Sequence, residues 1–157
     1  MDTQNKKVRI SIKAVIIRER KLLVLKKKDE EGYFYTLPGG GQEHSETIEQ
    51  ALLRECMEEV SLKIKMKRLL FIRDYIAINH EVKVDSDRNI HQVELMFESE
   101  ILEGTPAAGN IPDNGQLSID WLDLNNIEDC RLYPKAIRKY LKNFESIDET
   151  IYLGDIN

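Results

Sequence analysis

From Val8 to Ile16 apolar and polar positions alternate, with Val8, Ile10, Ile12, Ala14 and Ile16 on one side and Arg9, Ser11 and Lys13 on the other. A period of two marks a half-buried strand. Leu22-Leu23-Val24-Leu25 supplies a second strand, and Arg18-Glu19-Arg20-Lys21 is a short polar turn between them. Residues 26–32 read as a charged loop. Tyr33 to Leu37 is extended and aromatic, ended by Pro38, whose ring biases Leu37 toward extended geometry. Thr47 to Val60 contains no Gly or Pro, and Ile48, Leu52, Cys56 and Val60 recur every fourth residue, which predicts an amphipathic helix. Leu62 to Ile78 predicts one long strand or two short ones. His91 to Ile101 predicts another, with Val93, Leu95, Phe97 and Ile101 on one face and Glu94, Glu98 and Glu100 on the other. Glu103 to Gly115 is rich in Gly and Pro and is expected to be a mobile loop. Leu117–Leu122 reads as a strand and Pro134–Phe144 as a closing helix, and residues 146–157 as a frayed tail or a segment that packs on a partner. Strands and helices intermix without a clean βαβ rhythm, so the expected fold is α/β with a mixed sheet and helices on its faces.

Composition narrows the function classes. A length of 157 residues suits a single domain spanning 1–157. With 41% hydrophobic and 32% charged residues the chain resembles neither a disordered nor a membrane protein. The net charge of -5 disfavours a non-specific nucleic-acid binder and an anionic membrane surface. No DNA-binding motif is present. Cys56 and Cys130 are far apart with no CxxC, and the polar start Met1-Asp2-Thr3-Gln4-Asn5 has no apolar signal core, so a cytoplasmic location is expected.

The charge is not spread evenly. Between Gly40 and Leu62 lie six glutamates and one basic residue, Arg54, so this stretch carries the whole excess. Glu55, Glu58 and Glu59 are spaced i, i+3 and i+4 and fall on one side of the predicted helix. Like charges at this spacing repel by a few tenths of a kcal/mol (about 0.2–0.5) per pair, and a hard cation such as Mg²⁺ or Mn²⁺ would offset the repulsion. Alone, three glutamates in five residues read first as a solvated acidic face. The register around them adds weight: Gly40, five residues, Glu46, seven residues, then Arg54-Glu55-Cys56-Met57-Glu58-Glu59 and Val60-Ser61-Leu62, all preceded by Leu37-Pro38-Gly39.

This stretch resembles the Nudix box, the signature of hydrolases that act on nucleoside diphosphates linked to another group. The resemblance implies an α/β/α sandwich with a mixed sheet and a loop-helix-loop catalytic motif. It implies metal-dependent cleavage of a pyrophosphate bond, with Mg²⁺ or Mn²⁺ held by Glu55, Glu58, Glu59 and the carbonyl of Gly40, and with Arg54 and Glu46 as orienting catalytic residues. Gly39, Gly40 and Gly41 would let the backbone approach metal or phosphate closely. Two serines depart from the pattern. Ser61 and Ser45 stand where the family has, or often has, glycine, and a non-Gly residue in left-handed geometry costs about 1 kcal/mol or more. A further carboxylate in the loop before a Gly-Gln pair serves some relatives as base; here that position is Asn114. The base is therefore open among Glu55, Glu58 and Asp113, with strand residues Glu94 and Glu98 less favoured.

Substrate contacts are less legible. Tyr33, Phe34 and Tyr35 precede the glycines and could stack on a base, Arg73 and Arg131 could meet phosphate, and Tyr133 could line a pocket, although strand aromatics usually pack in cores. The three histidines, His44, His80 and His91, have no metal-ligand spacing. The expected substrate is a small-molecule nucleotide of the ADP-ribose or nucleotide-sugar type. The alternatives are a nucleoside triphosphate pyrophosphohydrolase of the housecleaning type and a non-catalytic nucleotide-sensing domain. Homodimer formation through Ile151-Tyr152-Leu153 is a further expectation.

Overall fold

The computed structural model describes residues 6–81 and 85–157. In chain order these form β1 (Arg9–Arg18), β2 (Lys21–Asp29), β3 (Gly32–Thr36), β4 (Gly39–Gly41), α1 (Ile48–Val60), β5 (Lys63–Ile76), β6 (His91–Glu103), β7 (Ser118–Asp123), β8 (Leu132–Tyr133), α2 (Arg138–Lys142) and β9 (Ile151–Asp155). Glu19 and Arg20 join β1 to β2 with φ of 50° and 55°, the mirror-image turn whose twist suits a hairpin. That hairpin is paired only at its tip, Ile17 with Leu22 and Arg18 with Lys21. Beyond the tip the strands part. β1 pairs with β4 antiparallel and β6 parallel, while β2 pairs antiparallel with β3 and β7. The result is a mixed, curled sheet in the order β8-β3-β2-β1-β6-β5-β9, with β4 attached to β1 and β7 to β2.

Alternation along the strands sorts side chains into two cores. Ile12, Ala14 and Ile16 of β1 with Leu23 and Leu25 of β2 bury against Ala51, Leu52, Cys56 and Val60 of α1. Val15, Leu22 and Val24 point the other way and bury with Phe71, Met96, Leu132, Ile137 and Leu141 near α2. Each fully buried aliphatic side chain contributes about 1.5–3 kcal/mol. The mixed sheet with helices on both faces is the expected α/β architecture.

Several elements differ from the sequence reading. The charged loop at 26–32 is mostly strand: β2 runs to Asp29, and Lys26 to Lys28 pair with Tyr33 to Tyr35. Lysine stems cover apolar surface while the ammonium groups stay wet, and Lys26 and Lys28 both lie over the Tyr33 ring. β6 is covered on both faces, so its alternation does not separate core from solvent; Glu94 is buried beside Met96. The closing helix is short, a 3-10 turn at Lys135–Ile137 followed by the five residues of α2. Residues 146–157 are not a frayed tail: β9 adds to the sheet edge, parallel to β5, and Ile151 and Leu153 pack on the chain's own core. Only Tyr152 of that apolar trio is largely exposed. The start of the polar N-terminal stretch lies outside the described residues. Among the described residues no helix is long and apolar enough to cross a membrane.

Candidate active site

α1 begins where its sequence can cap it. The Thr47 hydroxyl accepts from the Gln50 N–H and the Gln50 side chain accepts from the Thr47 N–H, a reciprocal box. The helix ends at Ser61, which adopts left-handed geometry at φ 58°, and Ser45 does the same at φ 67°. Both serines therefore keep the conformation that glycine would take more cheaply. These two ends set the register of Arg54, Glu55, Glu58 and Glu59.

Arg54 is the hub of that face. Its guanidinium donates to both Glu46 oxygens at 2.7 and 3.1 Å, to Glu55 Oε1 at 2.9 Å and to Glu58 Oε2 at 3.4 Å, and to the Gly41 carbonyl at 3.1 Å. Those bonds hold the Glu46 carboxyl below its ordinary range and raise the Arg54 pKa. The expected repulsion among the glutamates is thus relieved within the chain for Glu55 and Glu58. Glu59 is relieved differently. It is buried, its Oε2 accepts the Gly39 N–H at 2.9 Å, and burial pushes its carboxyl up to about 8, against the pull of that hydrogen bond and of Lys13.

The glycine strand β4 brings backbone against this face. A Cβ on Gly40 would stand 2.5 Å from Glu55 Oε1, and one on Gly39, whose φ is +136°, would stand 2.0 Å from the Ile12 carbonyl oxygen. Backbone excludes any side chain at Gly39, while a side chain at Gly40 would have to displace the Glu55 carboxylate. Lys13 crosses from β1 to donate to the Gly39 carbonyl at 2.8 Å.

The loop expected to be mobile is docked. The N–H groups of Ala107, Gly109 and Ile111 donate to the carbonyls of Val60, Glu59 and Glu58, each at 3.1 Å. A helix end leaves such carbonyls unsatisfied, and here the loop satisfies three of them. Gln116 adds a bond from Nε2 to the Glu59 carbonyl at 3.0 Å and accepts the Asp113 N–H at 2.9 Å. Asp113 in turn forms an ion pair with Lys27.

A cleft of about 630 Å³ is lined by Lys13, Leu37, Glu94, Asp113, Phe34, Arg131 and Tyr133 among others. No residue of α1 lines it, and it meets the carboxylate face through Lys13, bonded to the Gly39 carbonyl, and Asp113, whose charge acts on Glu59. Phe34 and Tyr133 meet edge to face at 6.1 Å between ring centroids. Arg131 lies over Phe34 and is held by Asp29 at 2.8 Å. Arg73 lines the cleft but is largely committed, donating to Glu94 at 3.1 Å and to the Ile156 carbonyl at 2.8 Å. Tyr35 does not face the cleft; it packs on the core, and its neighbour Phe34 takes the wall position because adjacent strand residues point to opposite sides. Tyr33 is exposed under its lysines. Asn114 is exposed, and Glu98 is engaged by Arg68 at 2.8 Å outside this cleft. Lys13 and Lys27 were not legible as site residues: Lys13 is a lone polar position in an alternating strand and Lys27 lies within a run of three lysines, and only the pairing of β1 with β4 and the docking of the loop give them partners.

Among the described residues no three acidic, His or Cys side chains already converge on a point. Glu55 and Glu58 are turned to Arg54, and Glu59 to the Gly39 amide. The donor set available is carboxylate and carbonyl oxygen, which fits a hard divalent cation and not a soft one. The missing side chain at Gly40 lets the Glu55 carboxylate lie directly against the backbone there.

Comparison with known proteins places this geometry in a class. The NUDIX domain model matches residues 7–144, and the chain belongs to the Nudix family of hydrolases. A relative from Methanocaldococcus jannaschii, an ADP-ribose pyrophosphatase, is 29% identical over 136 residues, covering 85% of this chain and 73% of that protein. The crystal structure of a NUDIX hydrolase from Nitrosomonas europaea superposes with a TM-score of 0.71 at 20% identity, covering 96% of this chain and 80% of the other. An ADP-ribose pyrophosphatase from Streptococcus suis superposes at 0.64 with 16% identity, covering 95% and 100%. The family and the pyrophosphatase relative together mark the chain as a pyrophosphohydrolase.

Proposed function

We propose that this pyrophosphohydrolase requires Mg²⁺ or Mn²⁺ and cleaves nucleoside diphosphates linked to a second group, of the ADP-ribose type. The observation that carries this reading is the Arg54-held carboxylate face of α1, packed against Gly39 and Gly40 and joined through Lys13 and Asp113 to a cleft of about 630 Å³. The substrate class also draws on the relative from Methanocaldococcus jannaschii.

Glu55, Glu58, Glu59 and the Gly40 carbonyl would hold the cation, which supplies neutralisation of phosphoryl charge and a more acidic water. Arg54, fixed by Glu46, holds the Glu55 and Glu58 carboxylates on one face of the helix, from which they would turn to the cation. Asp113 is the loop carboxylate that faces the cleft, and with Glu58 it is the group placed to accept the proton of the attacking water. Lys13 and Lys27 bring positive charge to the wall where the diphosphate would lie. Phe34 and Tyr133 offer the aromatic surface for a base. Both cysteines are free thiols, which suits the reducing cytoplasm as its site of action.

The test is a Mg²⁺ hydrolysis panel of ADP-ribose, nucleotide sugars and nucleoside triphosphates with wild type and Glu59→Gln. ADP-ribose or a nucleotide sugar should yield a nucleoside monophosphate and a phosphorylated remainder, and Glu59→Gln should lower kcat at least about 100-fold with the circular dichroism spectrum retained. Faster turnover of triphosphates would replace the substrate class, and near-wild-type activity of the variant would remove Glu59 from the metal set.

A further inference from the structure

A second cleft of about 540 Å³ adjoins the first, and the two share His80, Lys135 and Asn157 as lining residues. Charge is distributed differently in the two. In the main cleft Lys27 is paired with Asp113, Arg73 with Glu94, and Arg131 with Asp29. In the side cleft three cations, Lys135, Arg138 and Lys139, stand at i, i+3 and i+4, and among the described residues none of them has a carboxylate partner. The two acids on that wall are already engaged, Glu128 by Lys142 at 2.8 Å and Asp155 by His80 at 2.7 Å. Three cations without a carboxylate partner are therefore grouped beside the substrate cleft, whose own cation of this kind, Lys13, is bonded to the Gly39 carbonyl.

Arg138 carries a second signal. Its Nε donates to the Leu132 carbonyl at 2.9 Å, but its Nη2 is buried and has no hydrogen-bond partner among the described residues. A buried guanidinium nitrogen without an acceptor is uncommon and destabilising. The side chain also links the two clefts: Arg138 and Lys135 lie 5.9 and 5.5 Å from the ring centre of Tyr133, one of the two aromatic residues proposed to stack on the base.

We propose that Lys135, Arg138 and Lys139 form an anion subsite for a phosphate monoester on the nucleoside ribose of the substrate. The inference rests on the proposed nucleoside-diphosphate reading of the main cleft and sharpens it: the favoured substrates bear a third phosphate on the sugar next to the base. A base stacked against Tyr133 puts its ribose within reach of this wall, and a dianionic monoester answers three unpaired cations where a bare hydroxyl does not.

The experiment compares ADP-ribose with its 2′-phospho and 3′-phospho derivatives in Mg²⁺, for wild type, Arg138→Gln and the exposed-site variant Lys139→Glu. Wild type should favour one phosphorylated substrate by roughly tenfold or more in kcat/KM, expressed in KM and weakened by salt. Both variants should lose that preference while kcat on ADP-ribose changes little. Equal kcat/KM for the three substrates in wild type, or a preference that survives Lys139→Glu, overturns the subsite. If no substrate turns over, the main-site reading fails, and the subsite is judged by titrating inorganic phosphate into labelled protein: shifts at the Arg138 and Lys139 amides support it, and their absence overturns it.

Discussion

Glu59 is asked to be both buried and charged. Its oxygen takes the Gly39 amide, yet desolvation raises its pKa to about 8 from the ordinary 4.5. An acid whose folded pKa exceeds its unfolded one binds protons more tightly when folded. Its contribution to the stability of the metal-free protein is therefore largest below about pH 4.5 and is lost as pH rises through about 8. A divalent cation requires the charged form and competes with that proton. The expected outcome is that the stabilisation by Mg²⁺, read as the Tm difference between loaded and metal-free protein, widens across this window, and that Glu59→Gln flattens the profile. A gap that stays constant with pH contradicts the assignment. The spacing that singles out these residues was legible because the box is a local register on one helix and its flanks. The burial of Glu59 was not, because it is produced by a glycine strand twenty positions upstream.

Among the elements, α1 was the most legible, since apolar residues recurring every fourth position and the absence of Gly and Pro agree; the Thr47–Gln50 capping box that sets its start came from the structure. Its C-terminus shows a local cost. Ser61 holds φ 58°, and its hydroxyl recovers only a long 3.4 Å contact with the Ala108 carbonyl. Ser61→Gly is expected to stabilise the protein by up to about 1 kcal/mol, a rise in Tm of about 2–4 °C in a chain of this size, with kcat unchanged; a fall in Tm on thermal melting would show that the serine contact outweighs the strain. The strands were less legible. Lys26 to Lys28 looked like loop because charge was read as exposure, whereas strand pairing needs only backbone groups and the lysine stems cover Tyr33. The loop at 104–115 carried every local sign of mobility, and its docking on three helix carbonyls depends on a partner far away in sequence.

For the whole molecule, the C-terminal strand has the largest consequence. β9 closes the sheet edge beside β5, places Ile151 and Leu153 on the core, and brings the Ile156 carbonyl to Arg73. Removing residues 151–157 exposes that apolar surface and takes a hydrogen bond from the buried Arg73–Glu94 pair, at a cost of about 2–4 kcal/mol. A drop in Tm of roughly 5 °C or more is expected, with a matching loss of turnover because Arg73 and Glu94 wall the main cleft. Unchanged melting of the truncated chain would assign the segment no structural role.

The sequence by itself determined the amphipathic helix α1, the spacing of Arg54, Glu55, Glu58 and Glu59 on it, and the class of fold. These follow from periodicity and from chemistry packed into neighbouring positions. Tertiary structure alone decided which carboxylate is buried, that Lys13 and Lys27 join the site, that Phe34 and not Tyr35 faces the cleft, and that the last strand completes the sheet. Each of these depends on contacts between segments distant along the chain, where desolvation and hydrogen-bond partners are set by the packing and leave no local pattern to read.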